Sequence, residues 1–430
     1  MSVNGFTFWQ TVFFQDTASG GFDQNRNALE NNAGNDKEHT LAFSTHTQTH
    51  RVTLPTGTLS LNVDALDFPL EDLCGFASRA NRKRGFLFVS KVLGKHIPVR
   101  PQTMAKVHRH LACKVASVLD NPQETCLFMG LAETATGLGQ GIFDAWLEQT
   151  SNVASMFIQS TRYRLIQHAV LEFEESHSHA SSHLIHLPRD PEARARFSKA
   201  TTLVLIDDEM TTGNTLVHLA QSYLQHNPFL KRILVVTLTD WLGDHRGVFL
   251  DAMPRTTQIL GLLSGASHWE PIECDVSAPP AHASLSDKTP YLGHNPARTG
   301  VMDTSQLSAE WTETHLGDLE RTQTRLGRPA RVLVLGSGEF SHLPFRLAQC
   351  FEREGHDVYF QTTTRSPILT GGAIVHKMEF VDNYFDGIPN YVYNCHPPDY
   401  DAIFVGYETP NLPKAHQNWL NLVGGTGVFF

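Results

Sequence analysis

Two adjacent carboxylates stand directly before a short loop of small and hydroxyl-bearing residues in segment 203–215. Asp207 and Asp208 follow an apolar run that predicts a buried strand, and the loop opens a predicted helix. Backbone N–H groups, hydroxyls and the positive end of a helix bind phosphate, whereas carboxylates suit sugar hydroxyls or Mg²⁺. An ordinary capped strand–turn–helix is the alternative, although a cap needs neither the acidic pair nor the glycine. The candidate phosphate-binding residues are Thr211, Thr212, Gly213, Asn214 and Thr215.

A second loop of small residues follows the apolar run 126–130. Its backbone amides could hold an anion, although a flexible strand–helix turn has the same composition. The polar stretch 162–186 follows a third apolar run and begins with Arg162 and Arg164, which are either anion ligands or solvent-exposed arginines. The segment 90–96 offers further cations, with surface lysines as the equal alternative. The candidate residues of the second loop are Glu133, Thr134, Ala135, Thr136 and Gly137.

Four histidines cluster in the polar stretch beside Glu174 and Glu175. Such a cluster could hold a transition metal, but a polar loop or histidines that contact a substrate are preferred. The histidines are His177, His179, His183 and His186.

Short apolar runs alternate with helical patterns between residues 85 and 264, which predicts βαβ units and a largely parallel sheet. The candidate loops therefore meet at one edge, because ligands of parallel sheets bind at the carboxyl ends of the strands. The predicted strands are 58–63, 85–91, 126–130, 156–161, 202–206, 232–239 and 257–264. The predicted helices follow Leu70, span 101–119 and about 140–150, and begin after Gly213, while 162–186 carries few signals.

The composition of the chain favours some classes of protein and argues against others. A chain of 430 residues with 41% hydrophobic residues predicts two globular domains. Its net charge of −10 and the lack of a long basic run argue against nucleic-acid binding. Six scattered cysteines without a CxxC pair indicate reduced thiols. We expect a cytoplasmic protein without membrane attachment, because neither a signal peptide nor a membrane-spanning run is evident.

A composition shift at 277–290 predicts a linker to a second, smaller α/β unit. Its predicted elements are strands 330–335, 357–361 and 401–405 and a helix at 343–355. A Gly-Ser-Gly turn follows the first of these strands, but Ser341 stands where a dinucleotide loop has its third glycine, which argues against NAD. The turn could still bind phosphate or carboxylate. The candidate residues of this second site are Gly336, Ser337, Gly338, Thr364, Arg365 and Ser366.

The segment 203–215 resembles the signature with which type I phosphoribosyltransferases bind 5-phosphoribosyl-1-pyrophosphate (PRPP). Together with 133–136, 177–180 and the Thr-Arg-Ser-Pro run at 364–367, it resembles a two-part bacterial family. In that family an orotate-phosphoribosyltransferase-like domain precedes a domain named TRSP after this run. The resemblance implies a type I phosphoribosyltransferase fold, with a parallel sheet flanked by helices, followed by a smaller Rossmann-like α/β domain.

The resemblance also implies roles for individual residues. Asp207 and Asp208 would face the ribose hydroxyls and could bind the Mg²⁺ that accompanies PRPP. Residues 211–215 would hold the 5′-phosphate, and 133–137 would form the pyrophosphate loop. Arg162 would begin the mobile loop and join the acidic pair as a catalytic residue. Thr211 stands where the 6-oxopurine enzymes carry a carboxylate, which argues against hypoxanthine or guanine as acceptor.

We therefore expect an arm at 1–50, a phosphoribosyltransferase domain at 51–272, a linker at 273–295 and a TRSP domain at 296–430. Members of the family are encoded in tellurium-resistance and stress-response gene clusters, which implies synthesis of a nucleoside-like compound. We expect a homodimer that transfers the phosphoribosyl group to an unidentified small molecule. A PRPP-sensing protein without turnover is one alternative, and a nucleotide-dependent C-terminal transferase or adaptor is another.

Overall fold

The computed structural model describes residues 48–79, 84–165, 168–174, 182–272, 295–303 and 309–430. In the first part of the chain the strands are β1 (Gln48–Leu54), β2 (Gly57–Leu66), β3 (Cys74–Ser78), β4 (Phe86–Ser90), β5 (Cys126–Gly130), β6 (Met156–Gln159), β7 (Val170–Glu174), β8 (Ser182–His186), β9 (Thr202–Met210), β10 (Arg232–Asp240) and β11 (Thr256–Pro271). The helices are α1 (Leu70–Leu73), α2 (Pro101–Ser117), α3 (Ala135–Thr150), α4 (Pro191–Lys199), α5 (Asn214–His226) and α6 (Arg246–Ala252).

Seven of these strands form one sheet in the order β1-β2-β11-β10-β9-β5-β6. The five strands from β11 to β6 run parallel, and β2 and β1 add to one side in antiparallel pairing. One face of the sheet packs against α2 and α3 through a core that includes Phe128, Phe143 and Trp146. The other face is covered by α4, α5 and α6 and the hairpin β7-β8. The carboxyl ends of the parallel strands thus share one edge, as the sequence predicted.

The second part of the chain builds a four-stranded parallel sheet in the order β13-β12-β16-β17. The chain passes from β12 to β13 on one side and later to β16 on the other, so a topological switch point lies between β12 and β16. Its elements are α7 (Ala309–Leu326), β12 (Arg331–Gly336), α8 (His342–Arg353), β13 (Asp357–Thr362), β14 (Lys377–Val381), β15 (Pro389–Tyr393), β16 (Ala402–Tyr407), α9 (Lys414–Leu422) and β17 (Gly425–Phe429).

Backbone hydrogen bonds join the segment after β4 to strand β13 of the second sheet. Val99 and Phe360 exchange two bonds of 2.9 and 2.8 Å, and the N–H of Thr362 donates to Gly94 over 2.7 Å. Helix α8 packs on α2 and α3. The segment after β13 runs beside the hairpin β3-β4, where Ile368 bridges Arg79. The hairpin and this segment therefore share one hydrophobic cluster.

Several predicted elements differ from those observed. Strand β9 continues to Met210, because its register with β10 holds beyond the apolar run, so the acidic pair lies inside the strand. Helix α3 begins at Ala135 rather than near residue 140, and its glycines Gly139 and Gly141 let it pack closely against Phe157 and His108. Part of the stretch 162–186 forms the hairpin β7-β8, whose alternating apolar residues enter the core. The helix after Leu70 is a single turn that leads into β3.

The structure bears on two expectations drawn from composition, one about the cysteines and one about membrane-spanning helices. All five cysteines in the described part of the chain are free, while Cys274 lies outside it. Among the described helices, none combines the length and apolar character that crossing a membrane requires. The predicted arm lies outside the described residues up to residue 47, and the predicted linker lies outside them up to residue 294.

Candidate active site

The two carboxylates lie at the carboxyl end of β9, where Asp207 stands opposite Thr237 of β10. The N–H of Asp208 donates to Asp207 Oδ1 over 3.0 Å. Burial and, next, the charge of Glu209 raise the pKa of Asp208 to about 6, although Asp207 and Lys95 act in the opposite direction. A hydroxyl group or a cation bound at Asp208 would therefore stabilise its ionised form and lower its pKa.

The loop after the acidic pair leads into α5, as predicted. Gly213 has a φ of 70° and begins the helix without a side-chain cap. A Cβ at this position would lie 2.4 Å from the Phe249 ring, so both the left-handed backbone and the lack of space require glycine. Thr212 and Asn214 are exposed, whereas Thr211, Gly213 and Thr215 are half-buried. The loop thus presents backbone and hydroxyls at the same sheet edge as the carboxylates.

The second predicted loop holds a buried ion pair. Lys95, whose side chain is only 4% exposed, pairs with Glu133 and donates to the carbonyl of Thr363 over 3.0 Å. Burial alone would raise the pKa of Glu133, but Lys95, followed by Arg365 and Arg162, lowers it below its usual range. Three cations therefore act on one carboxylate here. Thr134 precedes the helix, and Ala135, Thr136 and Gly137 form its first turn instead of a free loop.

Glu209 has a structural partner in the hairpin region. The Arg84 guanidinium donates to its carboxylate. Arg84 precedes β4 and also lies over the Phe86 ring, with its guanidinium carbon 5.0 Å from the ring centre. The pair ties the hairpin to the strand that bears Asp207 and Asp208, which explains a carboxylate at this position.

The residues after β6 are attached to the second sheet. Thr161 Oγ1 donates to Glu339 over 2.5 Å, and the N–H of Arg162 donates to the other oxygen of Glu339 over 2.8 Å. Tyr163 packs on Tyr384, with the ring centres 4.9 Å apart. The start of the predicted mobile loop is therefore fixed by residues more than 170 positions away in the chain.

The switch point of the second sheet is filled by an arginine. Arg298 is 0% exposed, and its guanidinium donates to both oxygens of Glu408 and to Glu339. Tyr384 donates to Glu408 over 2.6 Å. Burial would lower the pKa of Arg298, but Glu408 and then Glu339 raise it above its usual value. The crevice where an open α/β sheet would receive a ligand is thus occupied by the protein itself.

Two family models match the chain on either side of residue 270. The model described as "Phosphoribosyl transferase" matches residues 73–266, which include the acidic pair and the Lys95–Glu133 pair. The model described as "TRSP domain C terminus to PRTase_2" matches residues 296–423. The chain is a phosphoribosyltransferase of the family that carries a TRSP domain. Its enzyme class is therefore that of the pentosyltransferases, as the resemblance implied, and both sheets confirm the predicted α/β class.

The solved structures that match the chain include several adenine phosphoribosyltransferases. The enzyme of Rhodothermus marinus shares 10% identity, with 45% of this chain and 96% of that chain covered, at a TM-score of 0.30. The Trypanosoma brucei enzyme, solved with AMP, pyrophosphate and ribose-5-phosphate, shares 14% identity, with 53% and 92% covered, at 0.31. The Leishmania donovani enzyme shares 13%, with 45% and 78% covered, at 0.31. No curated protein sequence matches the chain.

The predicted second site of the TRSP domain is largely engaged within the protein. Ser337 Oγ donates to the carbonyl of Gly406 over 2.7 Å, and the N–H of Gly338 donates to Thr363 Oγ1 over 3.0 Å. Gly336 lies under Phe340 and Ser341, where a Cβ would not fit. Thr364 Oγ1 accepts from the N–H of Ser366 over 3.2 Å. Of the predicted set, Arg365 is the residue whose side chain reaches the phosphoribosyltransferase domain.

The turn and the ion pair meet in a narrow cleft between the two domains. The cleft is lined on one side by the start of α3 and on the other by the turn after β12 and the end of β13. Its polar lining residues are Lys95, Glu133, Thr134, Thr136, Ser341 and Thr362. The predicted pyrophosphate loop and the TRSP turn therefore face each other, which the sequence did not indicate.

The described members of the histidine cluster have structural partners. His186 Nε2 accepts the N–H of Leu165 over 2.9 Å, and His183 lies 3.2 Å from Ser160 Oγ. Among the described residues no group of three or more His, Cys, Asp or Glu side chains is placed to hold a metal ion. His177, His179 and Glu175 lie outside the described residues.

Sequence reasoning missed the buried network around Arg298. Its partners come from segments 41 and 110 residues away, and no local spacing brings them together. Lys95 was considered only as one of several cations. Its position after a buried strand, in the apolar surroundings of Val92 and Leu93, was the available signal.

Proposed function

We propose that this phosphoribosyltransferase binds PRPP with Mg²⁺ and transfers the phosphoribosyl group to a small-molecule acceptor. The observation that supports this most strongly is a convergence at one sheet edge. The ionisable pair Asp207 and Asp208, the loop 211–215 and the pair Lys95–Glu133 all lie at the carboxyl ends of β9 and β5 or beside them. PRPP has a ribose, a 5′-phosphate and a pyrophosphate, and each finds a group of suitable chemistry there.

Each part of the substrate has a proposed partner. Asp207 and Asp208 accept from the ribose hydroxyls, since a carboxylate is acceptor-only when ionised. The backbone of 211–215 and the amino end of α5 hold the 5′-phosphate. Lys95 and Arg162 offset the charge of the pyrophosphate. The carboxylate oxygens of the acidic pair also fit Mg²⁺, which prefers oxygen donors and usually keeps substrate phosphates and water as ligands.

The reaction we propose is a displacement at C1 of the ribose. The acceptor atom forms a bond to C1 as the bond from C1 to the pyrophosphate oxygen breaks, and the electron pair leaves with pyrophosphate. A proton on the attacking atom passes to the departing pyrophosphate or to water. Bound Mg²⁺ would lower the energy of the leaving group by neutralising part of its charge. The protein's own contribution is positioning and preorganised charge.

The TRSP domain belongs to this same site in our proposal. It fixes Lys95 through the Thr363 carbonyl and the start of the loop after β6 through Glu339. The product would be a 5′-phosphoribosyl derivative of the acceptor, in line with synthesis of a nucleoside-like compound. The homodimer and the cytoplasmic location are likewise proposed.

Release of pyrophosphate tests the proposal. The purified chain, supplied with PRPP, Mg²⁺ and extracts or panels of small molecules, should release pyrophosphate, and mass spectrometry should show an acceptor heavier by one phosphoribosyl group. The double variant Asp207→Asn, Asp208→Asn should lose more than about a thousandfold in turnover, because it removes the groups that hold the ribose. Removal of Mg²⁺ by EDTA should abolish turnover.

The control is Asp251→Asn, which neutralises an exposed carboxylate on α6. It should retain full activity and the same Tm. Undiminished turnover in the double variant would refute the site. Tight PRPP binding without turnover for every acceptor would instead favour the PRPP-sensing alternative.

A further inference from the structure

Arg365 lies where the TRSP domain meets the start of the loop after β6. Its guanidinium donates to the hydroxyl of Tyr163, and its carbon atom lies 4.8 Å from the centre of that ring. Tyr163 directly follows Arg162, whose backbone is fixed by Glu339. A cation from the C-terminal domain is therefore held against the phosphoribosyltransferase loop that we expect to cover the substrate.

The backbone around Arg365 is fixed on both sides. Thr364 exchanges two hydrogen bonds with Tyr391, of 2.9 and 2.7 Å, and the N–H of Leu369 donates to Ser78 over 3.2 Å. Two residues before Arg365, the Thr363 carbonyl accepts from Lys95, which pairs with Glu133. The arginine is thus carried by a rigid segment that already contacts the proposed pyrophosphate region.

The charge of Arg365 is only partly compensated. Its partner Tyr163 is a neutral phenol, and the carboxylate of Asp386 lies 3.8 Å from its guanidinium. Arg298 offers the contrast, because it is fully buried and holds two oxygens of Glu408 as well as Glu339. The side chain of Arg365 is 17% exposed, so a ligand can reach it. After Lys95, the positive charge of Arg365 also lowers the pKa of Glu133, so the two side chains lie within electrostatic range of each other.

We propose that Arg365 of the TRSP domain binds the pyrophosphate of PRPP and so completes the phosphoribosyltransferase site from the second domain. This inference rests on the proposed function. A guanidinium suits this role, because its planar fork donates two hydrogen bonds to one phosphate group. Arg365, Lys95 and Arg162 together would face a leaving group whose charge exceeds what one cation offsets. The TRSP domain is then a part of this enzyme's active site.

Two ligands that differ only by the pyrophosphate provide the test. PRPP and ribose 5-phosphate share the ribose and the 5′-phosphate, so their binding to the full-length protein with Mg²⁺ is compared by calorimetry. Arg365→Gln should weaken PRPP about tenfold or more, as expected for the loss of charge-assisted hydrogen bonds. It should change the affinity for ribose 5-phosphate by no more than about twofold, because that ligand does not reach Arg365. Arg365→Lys, which keeps the charge, should recover part of the PRPP affinity.

A matched control is Arg353→Gln, which removes an exposed arginine at the end of α8 in the same domain. It should bind both ligands like the unaltered protein. Equal weakening of both ligands by Arg365→Gln would assign the residue a structural role and overturn the inference, as would unchanged PRPP affinity. Failure of the unaltered protein to bind PRPP would instead refute the proposed function, so the two failures can be told apart.

Discussion

Each of the two sheets has a cluster of charged residues at the carboxyl ends of its parallel strands, but the clusters differ in how far the protein itself compensates their charges. At the first sheet, the loop 211–215 stays accessible, and Asp208 has a pKa of about 6 because burial is only partly compensated. At the second sheet, Arg298 fills the switch point and satisfies Glu339 and Glu408. Charges that the protein leaves uncompensated at the edge of an α/β sheet are available to a ligand, whereas charges that are paired within the protein are not. In the TRSP domain Arg298 fills the crevice, whereas Arg365 contacts Tyr163 of the phosphoribosyltransferase domain.

The largest effect should come from opening the filled crevice. Arg298→Met leaves Glu339 and Glu408 buried without their cation, so unfolding free energy should fall by about 3–5 kcal/mol in urea titration. Adding Glu408→Gln should recover part of this loss. Arg328→Met removes an arginine that also binds a carboxylate through two hydrogen bonds, to Asp401, but at the surface. A comparable loss in that control would contradict the special role of the buried network.

The next effect should come from the cation of the open site. Lys95→Met should lower kcat/KM for PRPP about thirtyfold to a hundredfold, because the pyrophosphate loses a buried charge and Glu133 loses its partner. The matched control is Lys91→Met, which removes an exposed lysine of the same segment that donates to the carbonyl of Glu71. If both variants lost activity equally, the open site would not depend on Lys95.

A smaller effect is expected at the phosphate loop. Gly213→Ala forces a Cβ to within 2.4 Å of Phe249 at a left-handed φ, which should cost about 1–3 kcal/mol of stability. PRPP affinity should fall as well, because the loop moves. Gly247→Ala is the control, since that glycine lies in α6 with no neighbour within 4 Å of the added atom. There alanine should leave stability equal or higher, as measured by thermal unfolding.

The smallest effect concerns pH at the acidic pair. Because the pKa of Asp208 is raised to about 6, the carboxylate is mostly protonated at pH 5 and mostly ionised at pH 7.5. PRPP affinity should therefore rise about tenfold across this range, beyond the change seen for Asp208→Asn, which cannot titrate. The raised pKa of Asp208 also affects the stability of the folded protein. Its contribution is fully present below the pKa of the unfolded chain and is lost as the pH rises through about 6. Calorimetry of both proteins at the two pH values measures the difference, and parallel profiles would contradict it.

Much of the first sheet could be predicted from the sequence, because each strand is a short apolar run and each helix has a periodic pattern. The run 202–206 and its acidic pair identified the sheet edge correctly, and the expected parallel order was found. The hairpin β7-β8 was not predicted, since its short strands lie within a polar stretch. The first turn of α3 was mistaken for a loop because glycines usually weaken a helix, whereas here they allow close packing.

The local sequence patterns were enough to predict the family and the α/β class, and they indicated Asp207, Asp208 and the loop 211–215 as the candidate site, because each of these motifs lies within a dozen residues. Three contacts became visible only in the fold: Lys95 pairs with Glu133, Arg298 fills the second crevice and Arg365 lies against Tyr163. These contacts join segments from 38 to 202 residues apart. Buried charges require partners wherever the fold brings them, and no local pattern in a single sequence records which distant residue supplies the partner.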